Sequence, residues 1–124
     1  MKKDTIISII YVVIGIGIIG LWIMLITTNK VPEFETEPAS IVFHITIECI
    51  MGIFSILSGL WLFHKRKHFK ELILFTNGLL GYSVVNSSGY YVELGEYAMI
   101  VMFTLILSFI LYSSWYLVKN KMKA

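Results

Sequence analysis

The sequence predicts an all-α integral membrane protein, an up-down bundle of four transmembrane helices with both termini cytoplasmic. Three observations carry this reading. Of 124 residues, 57% are hydrophobic and only 15% are charged, whereas a soluble domain has roughly a quarter charged residues. Four long runs are nearly free of charge, and the cations outside them are segregated to one side. A water-soluble globule of this size could not hide so much apolar surface. Disorder is excluded as well, because disordered chains are poor in aromatic and aliphatic residues.

The first run covers residues 5–28 and holds no charged residue. Lys2 and Lys3 ahead of it imitate a signal peptide, but the apolar stretch is too long and no small-x-small cleavage site follows. It is expected to be a retained helix. Its GIGIIG segment lacks the strand and the Lys-Ser/Thr of a phosphate loop, so packing explains it. Gly17, Gly20, Met24 and Thr28 are the expected packing face. The second run, 40–63, carries only His44 and Glu48 as ionisable residues apart from Cys49. The third, 72–92, and the fourth, 97–118, are again uncharged. Each reaches the roughly 20 residues that a helix needs to cross about 30 Å of hydrocarbon. Backbone groups in lipid must be satisfied within the segment, so helices follow. The connections are short, which favours antiparallel neighbours and one domain over 1–124.

Charge sets the orientation. Nine of the ten Lys/Arg lie in the N-terminus, the segment HKRKHFKE after span two, and the tail. Glu33, Glu35, Glu37, Glu93 and Glu96 lie in the alternate connections. Short basic connections stay cytoplasmic, which predicts a multi-pass inner-membrane protein, N-in and C-in. Trp61, Phe63, Trp115 and Tyr116 at one boundary, and Phe34, Tyr90 and Tyr91 at the other, fit an interfacial belt. HKRKHFK reads as a topology anchor among headgroups rather than a nucleic-acid motif. Cys49 reads as a small hydrophobe.

Span two carries the most informative stripe. His44, Glu48, Gly52, Ser55 and Gly59 fall on one face at 100° per residue. Small residues let backbones approach, so this face should meet another helix. Phe75, Gly78, Tyr82, Asn86 and Gly89 form a second stripe on span three. If spans two and three pair antiparallel, residues whose numbers sum to about 131 lie level, setting Glu48 opposite Tyr82 and His44 near Asn86. Span four adds Tyr97, Thr104, Ser108 and Tyr112. Asn77 is left over, to face span four or another subunit.

A carboxyl at the depth of Glu48 costs a few kcal/mol if charged, and intramembrane ionisable residues are functional by default. The expected site is therefore an outward-facing polar pocket for a proton, cation or small ligand. Glu48 is its responsive group, His44 its partner, and Tyr82 and Asn86 its orienting donors. A metal site is a narrower version, with His44, Glu48, Glu93 and Glu96 as weak candidate ligands, but no HExxH or Cys pair supports it. Haem would need a second intramembrane histidine, and no nucleophile motif is present. No cofactor and no enzymatic activity are expected. The alternative is a non-catalytic accessory subunit of a larger membrane complex, with Asn77 touching the partner. A homo-oligomer is compatible with either, and no nucleic acid is expected.

Overall fold

The computed structural model describes residues 2–120. Lys121 and Lys123 of the basic tail, and the side chains of Lys2 and Tyr90, lie outside the described residues. The chain is all-α: α1 (Lys2–Thr27), α2 (Glu33–Thr36), α3 (Pro38–Phe63), α4 (Phe69–Leu94) and α5 (Tyr97–Asn120). The four long helices pack in pairs, α1 with α3 and α4 with α5. Each pair is a compact unit, one ending at His64 and the other beginning at Lys65. Three helices are long and apolar enough to cross a membrane: α1, α3 and α5. The remaining long helix, α4, has 26 residues but is diluted by Thr76, Asn77, Asn86, Ser87 and Ser88.

Local chemistry fixes where the helices stop. Asn29 closes α1 in the left-handed region at φ 55°. The Lys30 amide then donates to the Leu25 carbonyl at 2.9 Å, a Schellman closure in which Asn replaces the usual Gly. The short α2 follows, packed on α3. Pro38 opens α3 in its first turn, where its missing N–H costs nothing. At the end of α4, Gly95 takes φ 73° and the Glu96 amide donates to the Tyr91 carbonyl at 3.1 Å. This second Schellman closure leaves only Gly95 and Glu96 before α5.

In the first unit, α1 and α3 run antiparallel. Ile7, Ser8, Tyr11 and Gly15 are buried on α1, and Gly52, Ser55, Gly59 and Leu62 on α3. Small residues face each other: a Cβ on Gly59 would come 2.5 Å from the Ser8 carbonyl oxygen, and one on Gly15 would collide with the Gly52 carbonyl. The Ser55 hydroxyl crosses the interface and donates to the Tyr11 carbonyl at 2.7 Å. The α3 stripe thus faces a helix as its spacing predicts, and that helix is α1. The expected α1 face is corrected. A Cβ on Gly17 or Gly20 would meet nothing within 4 Å, and Met24 and Thr28 are exposed. The reason is angular: Gly15 continues the Ser8–Tyr11 face, and Gly17 points about 160° away from it.

In the second unit, α4 buries Ile73, Thr76, Asn77, Leu80 and Val84, and α5 buries Ile110, Ser113 and Leu117. Asn77 faces α5: its amide donates to Ser114 at 2.7 Å and to Ser113 at 3.3 Å. Of the two expected positions, span four or another subunit, Asn77 takes the one against span four. Interhelical hydrogen bonds of this kind contribute about 0.6 kcal/mol on average in membranes, up to about 1.7. Asn77→Leu should therefore lower the stability of the α4–α5 pair by about 1 kcal/mol, read by denaturant titration in micelles. A cost of several kcal/mol would mean that the amide does more than join two helices.

The connection at residues 64–68 uses two left-handed residues, Lys65 at φ 50° and His68 at φ 66°. His68 Nδ1 lies 2.8 Å from a Glu71 carboxylate oxygen. This hydrogen bond, aided by a backbone bond and nearby positive charge, holds the Glu71 carboxyl below the usual carboxylate range. A depressed carboxyl contributes stability that is present above its unfolded pKa and fades as pH falls through the folded one. Both side chains are largely exposed, so the contribution is small. In an NMR titration, His68→Gly should move the Glu71 midpoint upward, since glycine suits the backbone and lacks the ring. An unmoved midpoint would show that the ring is not the cause.

Candidate functional site

The polar cluster of the first unit is built by continuing the two packed stripes away from the basic end. On α1 the face Ser8, Tyr11, Gly15 reaches Trp22 after two more turns. On α3 the face Gly59, Ser55, Gly52 reaches Glu48 and then His44. Glycine and serine hold the backbones close over the first part. Beyond Gly15 the larger Trp22 occupies the interface. Its indole Nε1 donates to Glu48 Oε1 across a long 3.5 Å, and its ring meets the His44 imidazole edge-on at 5.7 Å and 75°. Trp22, His44 and Glu48 are all half-buried.

The chemistry of this trio differs from that of several hydroxyl residues in the helices. The Thr46, Ser88, Thr104 and Ser108 hydroxyls each donate to the carbonyl four residues earlier in their own helix. Such back-bonding satisfies a hydroxyl in lipid without a partner helix. Glu48 instead reaches the neighbouring helix. It sits about 15 Å along α3 from Pro38, between Ile47 and Cys49. The carboxyl and the imidazole stand one helical turn apart on the same face of α3.

The other predicted site residues lie in the second unit. Tyr82 and Asn86 are exposed on the face of α4 that α5 leaves uncovered, opposite Asn77. Glu93 is exposed in the last turn of α4, and Glu96 just before α5. Among the described residues, no three His, Cys, Asp or Glu side chains come together as a group able to hold a metal ion. Of the aromatic belt, Trp115 receives the Lys119 ammonium over its ring at 4.6 Å, and Tyr112 and Tyr116 stack at 6.0 Å. A cation beside aromatic rings at a helix end suits a membrane boundary.

Trp22 is the residue that sequence reasoning does not single out. The signal is there: it lies seven residues after Gly15, on the same helix face, and it carries the only side-chain N–H donor in the first apolar run. The register of α1 against α3 is needed to see it.

Three bilayer-length apolar helices and an ionisable pair set against a tryptophan define a small helical membrane protein of the multi-pass class. The model of a family described as a domain of unknown function, DUF8058, matches residues 1–124, and the chain belongs to that family. No curated protein and no solved structure matches it.

Proposed function

We propose that this protein is a four-span inner-membrane protein, N-in and C-in, in which Glu48 and His44 form an outward-facing binding or transport-linked site for a proton, cation or small ligand. The observation that carries the reading is the Trp22–Glu48 contact. A carboxyl held in an apolar helix pair serves stability poorly, because the few kcal/mol it costs when charged exceed what one interhelical hydrogen bond returns. Glu33, Glu35 and Glu37 gather at the same end of the α1–α3 pair and would draw cations toward the mouth. Tyr82 and Asn86 enter the proposal on helix register alone. The fourth span is α4, whose Thr76 and Asn77 turn inward to α5 and so spare the lipid-facing side two of its polar groups.

Proteoliposomes loaded with a pH-sensitive dye test the site. After an imposed pH step, wild type should equilibrate faster than Glu48→Gln, which should match empty vesicles; equal rates for the two proteins would sink the proposal. The orientation has its own test in a Cys49→Ala background. Cysteines introduced at Glu35 and Gly95 should label from outside intact cells, and one at Lys67 should not; the opposite pattern would invert the topology.

A further inference from the structure

We infer that the connection after α1 holds a binding site for a small organic ammonium ion, in a cavity that Asn29, Phe34 and Glu35 line together. The cavity has a volume of about 370 Å³, within the roughly 300–1,000 Å³ of small-molecule sites. Ile26, Val31 and Pro32 complete the lining, so every wall belongs to the first unit. The cavity arises where the chain reverses. Asn29 in the left-handed region turns the backbone off α1, Val31 is buried, and Pro32 caps the single turn of α2. The Phe34 and Glu35 amides donate to the Val31 and Pro32 carbonyls at 3.3 and 3.0 Å. That turn sets the Phe34 ring and the Glu35 carboxylate around the same cavity as Ile26 from the last turn of α1.

The chemistry of the lining selects the ligand. Its one full charge is the Glu35 carboxylate, and Lys30, the only Lys or Arg between Asn29 and Pro38, is not part of it. With the Phe34 and Glu35 amides already spent on carbonyls, an anion finds little to hold it. Among the described residues, the Glu35 carboxylate and the Asn29 side-chain amide have no partner. The carboxylate accepts strongly from an N–H of a cation, and the Asn29 side-chain oxygen is a second acceptor. An aromatic ring such as that of Phe34, which is exposed, attracts the same charge over its face. Ile26, Val31 and Pro32 suit an apolar body. A bare metal ion would meet a single carboxylate here, whereas an amine on a hydrocarbon body uses both halves of the lining. The site is separate from the Glu48 trio. Ile26 lies one turn beyond Trp22 on α1, and neither Trp22, His44 nor Glu48 lines the cavity.

The test is binding of phenethylammonium to the full chain in nanodiscs, measured by isothermal titration calorimetry against empty nanodiscs. Wild type should bind it in preference to phenylacetate, which carries the same ring with the opposite charge, and to neutral phenethyl alcohol. Glu35→Gln should weaken binding about tenfold, as loss of a hydrogen bond to a charged group does. Phe34→Leu should weaken it about threefold. Ile26→Trp, which fills the cavity from an exposed position, should abolish it. All three side chains are exposed, so their replacement leaves the fold intact. Glu48→Gln should bind the amine as wild type does. No binding by wild type beyond that of empty nanodiscs would overturn the inference. So would equal binding of phenylacetate, undiminished binding in Glu35→Gln and Ile26→Trp, or a matching loss in Glu48→Gln, which would move the amine to the other site.

Discussion

Gly59→Val should unfold the first helix pair. A Cβ at this position would stand 2.5 Å from the Ser8 carbonyl oxygen and 2.7 Å from a Val12 methyl group. Neither can yield cheaply, since one is backbone and the other is fixed against it. The helices would have to separate, which breaks the Ser55-to-Tyr11 hydrogen bond and opens the interface along its length. Overpacking a close contact costs about 1–3 kcal/mol, and a backbone-to-backbone crossing belongs at or above the upper end. Gly15→Val should act alike, because its Cβ would run into the Gly52 carbonyl and Ile56. The contrast lies two and five residues on. Gly17→Ala and Gly20→Ala meet open space and should stabilise α1 by up to about 1 kcal/mol through helix propensity. Equilibrium unfolding in mixed micelles reads all four. If the Gly17 and Gly20 variants were the damaging ones, the α1–α3 register would be wrong.

Glu48→Gln should separate stability from function. The amide keeps an oxygen to accept from Trp22 and loses the charge. The protein should be as stable as wild type, or more stable by up to about 3 kcal/mol, the cost of an ionised carboxyl at the centre of a membrane helix. The response to an imposed pH step should vanish at the same time. Loss of stability at every pH from about 5 to 9 would instead make Glu48 a structural residue. The proposed site would then fall with it.

Much of the architecture is legible in the amino-acid sequence alone. Charges bound the apolar runs, so runs at 40–63 and 97–118 anticipate α3 and α5 within two residues at each end. The helices extend past the runs because caps, not charges, end them, as Pro38 and Gly95 show. The short α2 gives no periodic signal in four residues. Span count is less direct, because Asn77, Asn86 and neighbouring serines dilute α4. The α3 stripe is readable because three small residues share one face. The α1 face is not, since GIGIIG offers glycines on several faces and only the spacing of Gly52, Ser55 and Gly59 selects Gly15. Trp22 is hidden for the same reason. Without that register, an indole in an apolar run reads as one more hydrophobic residue.

The central claim is that Glu48, at its contact with Trp22, is the responsive group of the proposed site. Of the three tryptophans in the chain, Trp61 and Trp115 can be replaced by phenylalanine, leaving Trp22 as the only indole reporter. Its emission should be followed against pH in lipid nanodiscs, with Glu48 present and with Glu48→Gln. The expected result is a pH-dependent change in emission with Glu48 present, and its loss or clear displacement in the amide, since the indole Nε1 donates to the Glu48 carboxyl. The same curve in both proteins, or a flat line in both, would contradict it.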